Sequence, residues 1–253
     1  MTAAATTPDD HRLAATLAAE AGQLLLGLRT PEAHLDAPAL KDEGDRVAHR
    51  LLASRLAAER PDDGLLSEEG ADTSRRLGKA RVWIVDPLDG TREFSESGRT
   101  DWAVHVALAL DGELVAGAVA LPARNLVLAT DPAPHHPPAT DGRLRVVTSR
   151  TRMPEAAARV AEALGADLLP LGSAGAKAMA VVLGEADAYA HAGGMYEWDS
   201  AAPAVVAAAA GMHVSRIDGA PLRYNRQDPW LPDLLVCRPE LAETCLRALE
   251  RWW

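Results

Sequence analysis

Cysteine is scarce in this sequence of 253 residues, which has only Cys237 and Cys245. No histidine stands near either of them at the spacing of metal ligands, so a disulfide framework and a zinc module are both excluded. We expect two buried thiols in a protein of a reducing compartment.

The sequence also lacks a long apolar run. The alanine-rich stretch at 201–212 is short and contains Pro203, whereas a membrane span needs ~18 apolar residues. Asp9 and Asp10 stand near the start without a basic segment or an apolar segment beside them, which argues against a secretory signal. We therefore expect a soluble, cytoplasmic protein with no membrane partner.

Basic residues are in the minority, because the chain has 36 acidic and 26 basic side chains, which give a formal net charge of −10. Nucleic-acid surfaces need clustered Lys and Arg, so a nucleic-acid partner is not expected. Hydrophobic residues make up 48% of the chain and charged residues 25%, which is typical of a packed globular protein. An anionic ligand would have to be attracted by something other than bulk charge.

The first half of the chain predicts two helices followed by strands. Apolar residues at helical spacing predict helices over 9–28 and 45–59, with a loop over 30–40 that contains two prolines. Runs of β-type residues predict strands over 82–85, 103–110, 113–121 and 125–129, with a hairpin turn at Asp111-Gly112. We expect an antiparallel sheet with both helices on one side.

A proline-rich stretch over 131–140 separates this half from a second one, and we place a subdomain boundary there. Strands are predicted over 144–148, 168–171, 188–191, 213–217 and 234–237, and helices over 154–164, 174–183, 199–210 and 239–252. This alternation predicts an α/β layered unit. The two predicted subdomains are 1–140, which holds most of the candidate metal ligands, and 141–253.

The segment with the clearest chemistry follows the strand over 82–85. Asp86 and Asp89 stand three residues apart in Asp86-Pro87-Leu88-Asp89-Gly90, so both carboxylates and the carbonyl between them can converge on a hard cation such as Mg²⁺. The amides of Gly90 and Thr91, at a helix start, can bind a phosphate oxygen. The alternative is an ordinary Asp-rich turn with a helix cap and no metal. When the pattern Asp-x-x-Asp-Gly occurs without further support, it usually marks such a turn.

Further carboxylates stand at similar positions. Glu68 and Glu69 follow a short apolar run, and Asp199 opens an alanine-rich helix. Taken alone, each is typical of a solvated charge or a helix cap.

Three motifs, taken together and in this order, resemble those of the inositol monophosphatase superfamily of magnesium-dependent, lithium-sensitive phosphatases. They are Glu68-Glu69, the segment from Asp86 to Thr91, and Trp198-Asp199-Ser200-Ala201. The resemblance covers nearly the whole chain and implies a layered αβαβα sandwich of α+β and α/β parts, the sugar phosphatase fold. Within the superfamily, 91–94 (Thr-Arg-Glu-Phe) looks most like the CysQ-type 3′(2′),5′-bisphosphate nucleotidases, as do 172–177 and 221–225.

The resemblance also implies roles for individual residues. The metal ligands, for two or three Mg²⁺ ions, would be Glu68, Asp86, the Leu88 carbonyl, Asp89 and Asp199. The catalytic group that activates water would be Glu68, Thr91 and Asp45, and the substrate would be bound by Gly90, Thr91, Arg92, Ser173 and Lys177. The sequence departs from the family pattern over 41–46, which is shorter than usual, so the loop that helps to hold a third ion cannot be matched.

The implied reaction removes the 3′-phosphate from adenosine 3′,5′-bisphosphate, or from its 5′-phosphosulfate relative, in sulfur metabolism and nucleotide recycling. Lys177 is our candidate for binding the second phosphate, while His105 and His191 are interpreted as core or rim residues. The alternatives are an inositol monophosphatase, a fructose-1,6-bisphosphatase and a metal-binding regulatory pseudoenzyme. The expected partner is a small phosphorylated nucleotide, and a homodimer is left open.

Overall fold

In a computed structural model of the chain, two five-stranded sheets are separated and flanked by layers of helix. The structure describes residues 6–30, 35–70, 74–138, 142–151 and 154–250. The order of layers is helix, sheet, helix, sheet, helix, so the predicted αβαβα sandwich is confirmed. Within the described ranges, no helix is both long enough and apolar enough to span a bilayer.

The first sheet has its strands in sequence order: β1 Gly64–Ser67, β2 Arg81–Asp89, β3 Ala103–Leu110, β4 Glu113–Leu121 and β5 Leu126–Ala129. The four predicted strands pair antiparallel as expected, whereas β1 was not predicted and runs parallel to β2. The hairpin turn is confirmed, with φ of +50° at Asp111 and +83° at Gly112. The outer face of this sheet is covered by α1 Pro8–Leu28 and α2 Ala37–Glu59.

The second sheet follows the order β7-β6-β8-β10-β9. Its strands are β6 Arg145–Ser149, β7 Asp167–Leu171, β8 Ala188–Tyr196, β9 His213–Ser215 and β10 Trp230–Cys237. The helices of this half are α4 Glu155–Leu164, α5 Ala174–Val182, α6 Glu197–Ala209 and α7 Ala242–Leu249, while α3 Thr91–Ser95 is a single turn after β2. The predicted last helix is a 3₁₀ turn at Pro239–Leu241 followed by α7, and the end of that prediction lies outside the described residues.

The middle layer joins the two halves, because α5 and α6 pack against both sheets. The apolar cluster around them combines Ile84 and Val119 of the first sheet with Val206 of α6 and Leu234 of the second sheet. The division at residue 140 stays a prediction, but both halves share this layer of the core.

The second helix begins eight residues earlier than predicted, at Ala37 rather than Asp45. The Asp36 side chain accepts a hydrogen bond of 2.9 Å from the Ala39 amide, and Pro38 lies in the first turn. Proline is tolerated there because the first amides of a helix have no partner within it. Asp45 therefore lies two turns inside α2 rather than at its start.

Asp10 holds three elements of the first half together. Its carboxylate accepts hydrogen bonds from the Thr7 amide at the start of α1, from Arg60 after α2 and from Arg81 of β2. Burial opposes ionisation of Asp10, but the bonds from Arg81, Thr7 and Arg60 outweigh it and lower its pKa to about 2.

We predict that Asp10→Asn lowers the free energy of unfolding at neutral pH by about 1.5–3 kcal/mol, since charged hydrogen bonds are lost. The folded pKa of about 2 lies below the ordinary 3.8, so the contribution is present above about pH 4 and is lost as the pH falls through about 2. Urea unfolding across this range should therefore show a shallower acid loss in the variant. Asp9→Asn is the control, because Asp9 is exposed and pairs with Arg12. Equal effects of the two changes would contradict the prediction.

A glycine sets the distance between β4 and α6. A Cβ on Gly117 would lie 2.6 Å from Val205 Cγ1, whereas one on Gly27 of α1 would have nothing within 4 Å. We predict that Gly117→Ala destabilises the protein by about 1–3 kcal/mol through overpacking. Gly27→Ala should be neutral or stabilise it by up to about 1 kcal/mol. Urea unfolding of both variants checks this, and a Gly117→Ala cost no larger than that of Gly27→Ala would contradict it.

Candidate active site

The end of β2 brings two carboxylates together. Strand β2 continues through Asp89, beyond its predicted end at residue 85, and its register against β3 shifts between Asp86 and Asp89. A bulge of this kind re-aims side chains. The Asp86 carboxylate accepts a hydrogen bond of 3.0 Å from the Leu88 amide, and both aspartates are buried.

Asp199 approaches the same point from the second half of the chain. It lies in the first turn of α6, where its Oδ2 accepts a hydrogen bond of 2.6 Å from the Tyr196 amide. One carboxylate oxygen from each of Asp86, Asp89 and Asp199 lies within 4.8 Å of the other two. These three predicted metal ligands therefore form one cluster.

Asp89 is held by the first turn of α5. Its Oδ1 accepts a hydrogen bond of 3.1 Å from the Ala174 amide and its Oδ2 one of 2.6 Å from the Gly175 amide. This close approach needs a glycine, because a Cβ at position 175 would lie 2.1 Å from His105 Nε2.

His105 belongs to the site, which the sequence did not indicate. It is buried as expected of a core residue, but its Nε2 lies 3.1 Å from Asp89 Oδ2 and its Nδ1 lies 3.0 Å from the Trp198 carbonyl oxygen. Burial disfavours the charged imidazolium, yet the charge of Asp89 outweighs this and raises the pKa of His105. In turn, His105 and the Gly175 amide lower the pKa of Asp89 against the opposing effect of burial. The feature that could have identified His105 as a site residue is the pairing of β2 with β3, which sets His105 opposite Asp86.

Glu68 follows β1, and the parallel pairing of β1 with β2 brings its carboxyl group close to that of Asp86. Burial of the carboxyl group and the charge of Asp199 raise the pKa of Glu68 to about 7. Burial also raises the pKa of Asp86, with the charges of Glu68 and Asp89 adding to the effect.

Thr91 and Asp45 lie beside this cluster. The Thr91 hydroxyl donates a hydrogen bond of 3.2 Å to the Leu88 carbonyl, and the Asp45 carboxyl group lies near it. Burial, together with the charges of Glu69 and Asp42, raises the pKa of Asp45 to about 7. The role of Asp45 behind Thr91 stays a prediction, and Asp45 approaches Thr91 from within α2 rather than from its start.

The acids fit a hard divalent cation. Burial and the charge of Asp89 raise the pKa of Asp199 to about 6, so the carboxylates repel one another until protons or a cation neutralise them. The donors of the cluster are all oxygens, and backbone amides already hold Asp86, Asp89 and Asp199 in place. Oriented carboxylates of this kind are the ligands that Mg²⁺ and similar ions take in proteins.

A cavity of about 690 Å³ opens onto Asp89 and Asp199. Gly90, Ser173 and Lys177, which were predicted to bind substrate, also line it. Gly90 has a φ of +86°, and a Cβ there would lie 2.8 Å from the Ser173 Cβ. The volume suits a ligand of nucleotide size.

The predicted substrate-binding residues differ in how they are held. Ser173 caps α5 by accepting a hydrogen bond of 2.9 Å from the Ala176 amide. The Lys177 ammonium is buried and donates hydrogen bonds to the carbonyls of Gly172 and Ser173. These bonds use two of its three donors, and the ammonium also lies 5.5 Å from the centre of the Tyr189 ring. Arg92 is exposed and is not among the residues that line the cavity. The binding roles of these residues stay predictions.

The sequence matches the inositol monophosphatase family over residues 10–252. It is 53% identical over 257 residues to a 3′-phosphoadenosine 5′-phosphate phosphatase of Mycobacterium leprae, covering 96% of this chain and 94% of the relative. It is 33% identical over 237 residues to the inositol-1-monophosphatase SuhB of Mycobacterium tuberculosis, covering 82% and 77%.

Among solved structures, CysQ from Bacteroides thetaiotaomicron matches with a TM-score of 0.77 and 27% identity, covering 91% of this chain and 97% of that one. That protein is a bacterial member of the inositol monophosphatase family. The fold, the acid cluster and the match over almost the whole sequence agree, and this chain belongs to the inositol monophosphatase family.

Proposed function

We propose that this phosphoric monoester hydrolase uses Mg²⁺ to convert adenosine 3′,5′-bisphosphate and water into AMP and inorganic phosphate. The observation that carries the proposal is the cluster of Asp86, Asp89 and Asp199 beside a cavity of about 690 Å³. The name of the relative from Mycobacterium leprae, at 53% identity, supports the choice of substrate.

Two groups of ligands are proposed, and they share Asp86. Glu68, Asp86 and the Leu88 carbonyl would hold one Mg²⁺ ion, and Asp86, Asp89 and Asp199 would hold a second. When bound, such ions make a nucleophile available from water at neutral pH and stabilise charge on the phosphoryl group and the leaving oxygen. His105 would keep Asp89 oriented from behind.

Thr91, with Asp45 behind it, would orient the attacking water, and Glu68 and Thr91 would assist its deprotonation. The hydrogen bond of 3.2 Å from the Thr91 hydroxyl to the Leu88 carbonyl supports this role, because it fixes the hydroxyl beside the proposed metal ligands. Lys177 is proposed to bind phosphate, and its place among the cavity-lining residues supports this.

A panel of substrates tests the proposal. We expect kcat/KM for adenosine 3′,5′-bisphosphate to exceed that for inositol 1-phosphate and fructose 1,6-bisphosphate by about a hundredfold or more, a difference of ~2.7 kcal/mol. Inositol 1-phosphate is the second candidate, because the SuhB relative is 33% identical. A preference for either sugar phosphate would contradict the nucleotide assignment. No turnover of any of them would favour the regulatory pseudoenzyme.

The metal assignment is tested by Asp199→Asn. Asparagine keeps an oxygen for the Tyr196 amide but removes one charge from the cluster. We predict that turnover falls by roughly two or more orders of magnitude while the circular dichroism spectrum is unchanged. Exhaustive chelation of the wild type should abolish turnover, and Mg²⁺ should restore it.

Thermal unfolding gives a readout that does not depend on turnover. Mg²⁺ at about a hundred times its Kd should stabilise the wild type by ~2.7 kcal/mol and should stabilise Asp199→Asn much less. Asp167→Asn is the matched control, because Asp167 is exposed and pairs with Arg143, so it should respond to Mg²⁺ like the wild type. Equal stabilisation of all three proteins, or full turnover after chelation, would contradict the metal assignment.

A further inference from the structure

Two aromatic side chains remain exposed on the wall of the cavity. Among the aromatic residues that the structure describes, Tyr196 and Trp230 stand out, with 43% and 41% of their surface exposed. Aromatic residues make up only 4% of the sequence, and both of these exposed ones line the cavity that contains Asp89 and Asp199. Exposed aromatic surface inside a cavity of this size indicates that a ligand covers it.

The two rings form a corner. Tyr196 of β8 and Trp230 of β10 are direct cross-strand partners, so their side chains lie on the same face of the sheet. Their ring centroids are 5.5 Å apart with an interplanar angle of 82°. Trp198 stacks against Tyr196 at 4.6 Å and 10°. A flat ligand can therefore meet aromatic surface in two directions.

The corner is fixed by the backbone around it. Gly194 has a φ of +89°, and a Cβ there would lie 1.7 Å from Trp230 Cζ2, so only glycine lets the indole ring take this position. The segment before Trp230 is held by Glu197, whose carboxylate accepts hydrogen bonds from the amides of Asn225 and Arg226 at 2.6 and 2.9 Å. The Glu197 amide in turn donates a hydrogen bond to the Pro229 carbonyl. The aromatic surface is preorganised, so ordering it on binding costs little.

The corner also adjoins the acid cluster. The Tyr196 amide donates its hydrogen bond to Asp199 Oδ2 at 2.6 Å, which places this aromatic residue beside a proposed metal ligand. In a nucleoside 3′,5′-bisphosphate, the sugar alone separates the reacting phosphate from the base. A phosphate at Asp199 would therefore bring the base of the same molecule to the wall of the cavity.

We propose that Tyr196 and Trp230 bind the base of the substrate by stacking and thereby determine the preference for nucleoside bisphosphates over sugar phosphates. This inference rests on the proposed function and deepens it. Every nucleobase offers an aromatic face, and stacking on aromatic side chains is tolerant of base identity. Inositol and fructose phosphates have no aromatic plane and gain much less from such a corner.

The experiment compares two substrates that differ only in the base. They are adenosine 3′,5′-bisphosphate and methyl ribofuranoside 3,5-bisphosphate, which keeps the sugar and both phosphates. We expect Tyr196→Leu and Trp230→Leu each to reduce the ratio of the two kcat/KM values by about tenfold to a hundredfold. The loss should arise in KM for the nucleotide rather than in kcat.

Conservative variants separate stacking from a structural role. Tyr196→Phe and Trp230→Phe keep an aromatic ring and should retain most of the wild-type ratio. Leu24→Ala is the control for removing exposed apolar surface, because Leu24 is 37% exposed on α1 and should leave the ratio unchanged. Circular dichroism and stabilisation by Mg²⁺ report whether each variant is folded.

The outcomes are distinct. Equal losses on both substrates in the two leucine variants, or no loss on either, would overturn the inference. A wild-type enzyme that hydrolyses the nucleotide but shows no preference for it over the base-free analogue would overturn the inference and leave the proposed function standing. A wild-type enzyme that does not hydrolyse the nucleotide would overturn the proposed function itself.

Discussion

The mutual repulsion of carboxylates at one point is the constraint on which the structure around the site depends. Oxygens of Asp86, Asp89 and Asp199 lie within 4.8 Å of one another, and Glu68 adjoins them. Burying like charges so close together opposes folding unless hydrogen bonds, a positive group or a cation offset it. The chain supplies backbone amides for three of these acids and His105 for one of them. A divalent cation would neutralise the negative charge that these groups leave uncompensated. The repulsion between carboxylates that opposes folding without metal therefore also provides the binding site for a cation.

This constraint explains why the site lies at the middle helical layer. Asp86 and Asp89 come from the first sheet, whereas Asp199 opens α6 and the amides that hold Asp89 open α5. Because α5 and α6 pack against both sheets, the acids are positioned by the largest shared part of the core. A change in the packing of that layer would therefore move ligands from both halves relative to each other.

The sequence predicts the parts of the site that depend on local order and misses those that depend on strand pairing and on exact helix boundaries. The acids at the end of β2 and at the start of α6 follow from a strand or helix terminus next to a carboxylate. The contact of His105 with Asp89 depends on the register between β2 and β3, which local patterns do not give. The predicted start of α2 was wrong because the two prolines over 30–40 were interpreted as marking a loop, although Pro38 lies in a first turn capped by Asp36. The burial of Lys177 is likewise a property of tertiary packing rather than of its neighbours in sequence.

Selectivity and chemistry need different physical properties, and the cavity separates them. In the proposed mechanism the acid cluster would attract a phosphoryl group through the cations that it holds, which any phosphate ester can exploit, so it would contribute little to the choice between substrates. The aromatic corner is uncharged and would contact the group to which the phosphate is attached. Tyr196 contributes its ring to the aromatic corner and donates its amide hydrogen bond to Asp199. One residue therefore connects the aromatic corner to the acid cluster. In the proposed complex, this rigid connection would let a well-stacked base place its phosphate at a defined distance from the metal ligands, which is the positioning that a slow hydrolysis requires.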